Sequence, residues 1–79
     1  MNRSYIEMEL NSYVMYFNDL CRLRSNREQR IRALTSKEEL IAQYLELLST
    51  QASIDKCLTE IVRLKIELES MNDEEETNG

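Results

Sequence analysis

The chain has 79 residues, with ten Lys and Arg against 15 Asp and Glu, and a net charge of −5. It is long enough for one small domain at most. It contains no histidine, no proline and a single glycine, so the usual general base at neutral pH and the glycine-rich nucleotide loops are excluded. We therefore expect no enzyme, no cofactor and no small-molecule substrate. No apolar run approaches the roughly 20 residues that span a bilayer, so we also expect no membrane segment.

The first predicted element is a helix over about residues 3–33, which Asn2 or Ser4 can cap. Within it, a series of mostly apolar residues recurs at alternating steps of four and three. This spacing keeps one side of a helix against a partner helix. These positions are Ile6, Leu10, Tyr13, Phe17, Leu20, Arg24, Arg27, Ile31 and Leu34. Ser25 with Glu28 is a capping signal inside this helix, so a break near Ser25 and Asn26 is the alternative to a continuous helix.

A turn is predicted at about 34–36, because Thr35 and Ser36 each precede a glutamate by three residues, as in a capping box. A second helix should run over about residues 36–71, with the same spacing at Leu40, Tyr44, Leu47, Gln51, Ile54, Leu58, Ile61, Lys65 and Leu68. Residues 72–79 have no apolar side chain and are predicted to be a disordered acidic tail. The predicted fold is all-α, an antiparallel helical hairpin of two long helices with coiled-coil-like packing.

Both helices carry more apolar residues than one seam can bury. On the second helix a further ladder reads Ile41, Leu45, Leu48, Ala52, Asp55, Thr59, Val62 and Ile66. On the first helix Met15, Tyr16 and Leu23 also lie off the seam. Because one partner helix packs into a single groove, this surplus predicts self-association into a four-helix bundle, or docking on another helical protein.

Five arginines fall within residues 22–32: Arg22, Arg24, Arg27, Arg30 and Arg32. Residues 35–79 are strongly acidic, so these arginines can pair with the second helix. On a hairpin folded about residue 35, Arg24 lies level with Glu46, and Arg30 and Arg32 lie near Glu38 and Glu39. The alternative is an exposed patch, formed by Arg22, Arg27, Arg30 and Arg32, for an acidic protein or a nucleic acid.

The two cysteines fall on different helices. In the predicted register Cys21 and Cys57 lie about eight positions apart, or about 12 Å, which is too far for a disulfide. With no histidine available we expect no metal site, and we interpret both as buried or half-buried thiols. The acidic residues Glu7 and Glu9 argue against a signal or transit peptide, so we expect a cytoplasmic or nuclear protein that is not secreted.

These features predict a non-enzymatic protein–protein interaction module, such as an adaptor, inhibitor, chaperone or assembly subunit, that acts through helix packing and homodimerisation. The alternative is a small dimeric nucleic-acid-binding regulator that uses the arginine cluster. In size and shape the predicted hairpin is similar to the plasmid-copy-control RNA-binding proteins that dimerise into four-helix bundles, and to the two-helix chaperones of type III secretion. The likeness is one of architecture, since no motif of either family is present.

Overall fold

The computed structural model describes the backbone of residues 2–78 and the side chains of residues 2–71. It contains two helices, α1 (Arg3–Ala33) and α2 (Lys37–Asn78), which pack against each other. The predicted helical hairpin is therefore confirmed. The molecule is a rod of 63 × 15 × 14 Å. Within the described residues, neither helix has a segment that is both long and apolar enough to cross a membrane.

Local hydrogen bonds explain where the helices begin and end. The side-chain oxygen of Asn2 accepts a bond from the backbone N–H of Ser4 at 2.9 Å, which caps α1. α1 then continues without a break through Ser25 and Asn26 and ends at Ala33. At the start of α2 the Oγ of Ser36 accepts a bond from the N–H of Glu39, so Ser36 provides the cap there. No residue with a described backbone has a positive φ angle, so the connection needs no glycine.

The end of α2 differs from the sequence-based expectation. α2 continues to Asn78, whereas the sequence predicted that it ends near residue 71. The segment contains no proline, and its only glycine is Gly79, so neither of the two strongest helix breakers precedes that position. The predicted disorder of 72–79 in solution stays a prediction, and Gly79 and the side chains of 72–78 lie outside the described residues.

The seam between the helices has a small apolar core. Among the described residues the buried apolar side chains are Ile6, Leu20, Ile54, Cys57, Ile61 and Leu64. Tyr13, Phe17 and Cys21 pack around the central group of Leu20, Ile54 and Cys57. Every predicted seam position of α1 is buried or half-buried, as its spacing indicated. So small a core gives limited stability to a hairpin on its own.

On α2 the structure confirms one of the two alternating sets of predicted seam positions and corrects the other. Leu40, Leu47, Ile54, Ile61 and Leu68 face α1 as expected, and Gln51 is half-buried. The alternating positions are different: Tyr44, Leu58 and Lys65 are exposed, and Gln43, Thr50, Cys57 and Leu64 take their places.

Rotation of α2 toward this second set has a physical reason. It buries Leu64 in place of Lys65, and desolvating an ammonium group without a partner is costly. The rotation also brings two polar side chains into the seam, and the buried side-chain oxygen of Gln43 has no hydrogen-bond partner among the described residues. Thr50 is buried, but its hydroxyl donates to the carbonyl oxygen of Glu46 at 3.0 Å, so it is satisfied within α2.

Candidate assembly interface

The apolar ladder on the outside of α2, here called the outer stripe, is exposed along its whole length. It consists of Ile41, Leu45, Leu48, Ala52, Asp55, Thr59, Val62 and Ile66. Its five large apolar side chains leave between 52% and 67% of their surface exposed. At 3.6 residues per turn, the outer stripe lies about 140° around α2 from the seam. α1 therefore covers none of it, and it is available to a partner.

The rotation of α2 adds two apolar side chains to this surface. Tyr44 and Leu58, which the sequence placed in the seam, are exposed at 54% and 42% and border the outer stripe. Their exposure could have been anticipated from the sequence. Leu58 lies seven residues before Lys65 on the same side of α2, so a seam that leaves Lys65 in water also leaves Leu58 exposed. The candidate interface is therefore wider than the eight positions of the outer stripe.

The three candidate interface residues of α1 form no common surface with the outer stripe. Met15, Tyr16 and Leu23 are all exposed. Met15 points away from the seam, and Leu23 lines a shallow groove of about 270 Å³ together with Arg27, Arg30 and Glu46. Tyr16 shares a heptad position with Leu23, so both lie at that edge of the hairpin. The structure thus separates the candidate residues of α1 from those of α2.

A short polar chain links the seam to the middle of the outer stripe. Arg24 donates a hydrogen bond to the side-chain oxygen of Gln51 at 3.0 Å, and the amide nitrogen of Gln51 donates to the carboxylate of Asp55 at 3.1 Å. The hydroxyl of Thr59 donates to the backbone carbonyl of Asp55 at 3.0 Å. Asp55 is therefore held in place by neighbours on its own helix. Two successive hydrogen bonds, through Gln51, connect it to the guanidinium group of Arg24 on α1.

The arginine cluster is divided among different partners. Arg27 forms an ion pair with Glu46 across the helices, and Arg22 pairs with Asp19 within α1 at 2.7 Å. The predicted pairing of Arg24 with Glu46 was wrong, because Arg27 reaches that carboxylate instead. Arg24 contacts Gln51 and lies 3.6 Å from Glu28.

The arginines nearest the turn are exposed. Arg30 and Arg32 make neither a hydrogen bond nor an ion pair with any described residue, so the predicted pairing with Glu38 and Glu39 was wrong too. Glu38 instead accepts a hydrogen bond from the hydroxyl of Ser36. The groove beside Arg30 also holds the carboxylate of Glu46, which repels a phosphate group.

Both thiols are free, and Cys57 is the more enclosed. Only 1% of Cys57 is exposed, and its Sγ lies 3.5 Å from the carbonyl oxygen of Tyr13, to which it donates. Burial raises the pKa of the Cys57 thiol, and the nearby Cys21 raises it further. Among the described residues no group of three or more Cys, Asp or Glu side chains could hold a metal ion.

Near the far end of the hairpin Arg63 is held between two glutamates of α2. Its guanidinium lies 2.9 Å from a carboxylate oxygen of Glu60 and 3.3 Å from one of Glu67. The hydrogen bond and charge of Glu60 raise the pKa of Arg63, and Glu67 and Glu9 add to the effect. Arg63 therefore stays charged and cannot act as a proton donor or acceptor in catalysis.

Comparison of the chain with known protein families, with curated proteins and with solved structures finds no match.

Proposed function

We propose that this chain is a non-enzymatic protein–protein interaction module that works by self-association, with two hairpins joined through their α2 helices into a four-helix assembly. The observation that carries the proposal is the exposure of the outer stripe. Large exposed apolar surfaces are uncommon on monomers and mark sites of association. The hairpin's own core is small, so a second layer of packing adds stability that one hairpin lacks.

The size of the surface supports a stable dimer. A standard protein–protein interface buries about 800 Å² on each partner. Ile41, Tyr44, Leu45, Leu48, Leu58, Val62 and Ile66 each leave about half of their surface exposed, and together they offer an area of this order. The assembled module would then present its α1 helices to other proteins as an adaptor, inhibitor, chaperone or assembly subunit. Another helical protein could take the place of the second copy.

Replacing Leu45 and Ile66 with glutamate tests the proposal. Both side chains are exposed, so the hairpin tolerates the change, whereas a buried and unpaired carboxylate costs several kcal/mol at an interface. Sedimentation should find a dimer for the parent and a monomer for the double variant, with helix content retained. The matched control replaces Asn11 and Asn18 of α1, both exposed, with glutamate, which adds equal charge and should leave the dimer intact. A parent that sediments as a monomer at millimolar concentration would overturn the proposal.

The alternative function, nucleic-acid binding, has Arg30 and Arg32 as its unpaired cations. Replacing both with glutamine should abolish any binding to a short RNA or DNA duplex at low salt if this alternative holds. No binding by the parent at low salt removes it and leaves the interaction module as the proposed function. The two tests use different residues, so their results are independent.

A further inference from the structure

The large apolar side chains of the outer stripe lie toward its two ends, with small and polar residues near its middle. If a second α2 is laid against the outer stripe in the opposite direction, Ile41 faces Ile66 and Leu45 faces Val62 of the other copy. Leu48 then faces Thr59, and Ala52 faces Asp55. All eight positions are paired, and the midpoint lies between Ser53 and Ile54. A two-fold interface must be self-complementary in this way, because each patch contacts its own copy.

The charged residues favour this antiparallel direction over a parallel one. In a parallel pair every residue of the stripe faces itself, so two Asp55 carboxylates oppose each other in an apolar surrounding, at a cost of several kcal/mol. In the antiparallel pair each Asp55 faces Ala52, whose small side chain leaves room for the carboxylate and its bond from Gln51. Antiparallel helices also align their dipoles favourably.

The residues that border the outer stripe agree with the same direction. On one side the antiparallel pair brings Lys65 beside Tyr44 of the other copy, where an ammonium group can lie against an aromatic ring. It brings Gln51 beside Leu58 on the same side, and Ser49 beside Lys56 on the other. In a parallel pair Lys65 would instead lie beside Ser70 of the other copy, and this contact with an aromatic ring would be lost.

We propose that a second copy of this chain docks on the outer stripe with its α2 antiparallel, so that the two-fold axis passes level with Ser53 and Ile54. This inference rests on the proposed function and specifies its geometry. The outer stripe lies about 140° around α2 from the seam. In a square four-helix bundle the two neighbours of each helix lie only about 90° apart around it, so the outer stripe does not fit that arrangement. The assembly is therefore a layer with the two α2 helices inside and the two α1 helices outside.

Single cysteines introduced as Leu45→Cys and Val62→Cys test the direction and the register together. Each variant is first shown by sedimentation to dimerise as the parent does. After oxidation, neither variant alone should join its introduced thiols, because they lie about 25 Å apart along the antiparallel helices. An equal mixture should give covalent dimers through these thiols in up to about half of the assemblies, the fraction expected for random exchange of chains. Mass spectrometry of the non-reduced peptides identifies the joined residues and separates them from Cys21 and Cys57.

The outcomes distinguish this inference from the proposed function. A cross-link in the mixture alone supports the antiparallel layer. A cross-link of Leu45→Cys to itself, in a chain that sediments as a dimer, shows a parallel pair and overturns the inference while the proposed function stands. A dimer with no cross-link in any sample also overturns the inference, because positions 45 and 62 then do not lie opposite each other across the contact. A monomeric parent overturns both.

Discussion

Arg24 of α1 donates a hydrogen bond to the side-chain oxygen of Gln51 of α2 over 3.0 Å, and this bond joins the two helices about one turn nearer the loop than the central apolar group of the seam. The sequence identified Arg24 and Gln51 as polar residues within apolar ladders, without showing that they meet. Polar pairs in a helical seam commonly select one register at some cost in stability. The bond also orients Gln51 toward Asp55, so the seam and the outer stripe share one polar chain.

Replacing Arg24 with leucine should lower the free energy of unfolding by about 1 kcal/mol, because the bond is lost and Gln51 keeps an unpaired oxygen. The loss is modest because Arg24 is partly exposed. Replacing Gln51 with leucine as well should recover most of the stability, since an apolar pair removes the unpaired group. Urea denaturation of the parent, the two single variants Arg24→Leu and Gln51→Leu, and the double variant at one protein concentration measures the coupling. Purely additive losses would show that the bond does not link the helices in solution.

The corrected seam makes Leu64→Ala far more damaging than Leu58→Ala. Leu64 is completely buried, so its truncation should cost about 2–5 kcal/mol, whereas Leu58 is 42% exposed and should cost less than about 1 kcal/mol in the isolated hairpin. The matched pair removes the same atoms from the same helix. Denaturation of both variants in the Leu45→Glu, Ile66→Glu background measures the hairpin without the interface. Equal losses of unfolding free energy in the two variants would instead support the seam predicted from the spacing, in which Leu58 faces α1.

The buried thiol predicts a loss of stability in alkali. Because burial and Cys21 raise the pKa of Cys57 in the folded chain, folding favours the protonated thiol. Its contribution is complete below the ordinary pKa of 9.0 and is lost as the pH rises through the raised value. The melting temperature of the parent should therefore fall more steeply above pH 9 than that of the Cys57→Ala variant. All other residues are the same in both proteins, so parallel curves would contradict the expected effect.

Deleting residues 72–79 should leave the thermal stability nearly unchanged. α2 is longer than α1 by about 11 residues, or about 16 Å, so its last turns extend past the start of α1 at Arg3 and have no helix beside them. Circular dichroism of the truncated chain should lose at most the helical signal of that segment. The midpoint of thermal unfolding should be the same as that of the parent. A drop of several degrees in the midpoint would mean that the acidic segment docks on the hairpin.

The sequence by itself determined the two helices, the turn between them and the exposure of the outer stripe. These features depend on short-range chemistry: Asn2 and Ser36 cap the helices, and no proline or glycine interrupts them. The regular spacing of apolar residues also showed that α2 carries two separate apolar surfaces. None of these inferences needs the position of one helix relative to the other.

Only the tertiary structure decided how far α2 is rotated against α1 and which acid each arginine meets. Leu40, Leu47, Ile54 and Ile61 can form a seam with the positions four residues later or with those three residues later, because both sets lie next to them on the helix. Packing against α1 selected the set with Cys57 and Leu64, which leaves Lys65 in water. Ion pairing depends in addition on the axial register of the two helices, where a shift of one turn moved the partner of Glu46 from Arg24 to Arg27. Spacing within each helix carries no information about that shift.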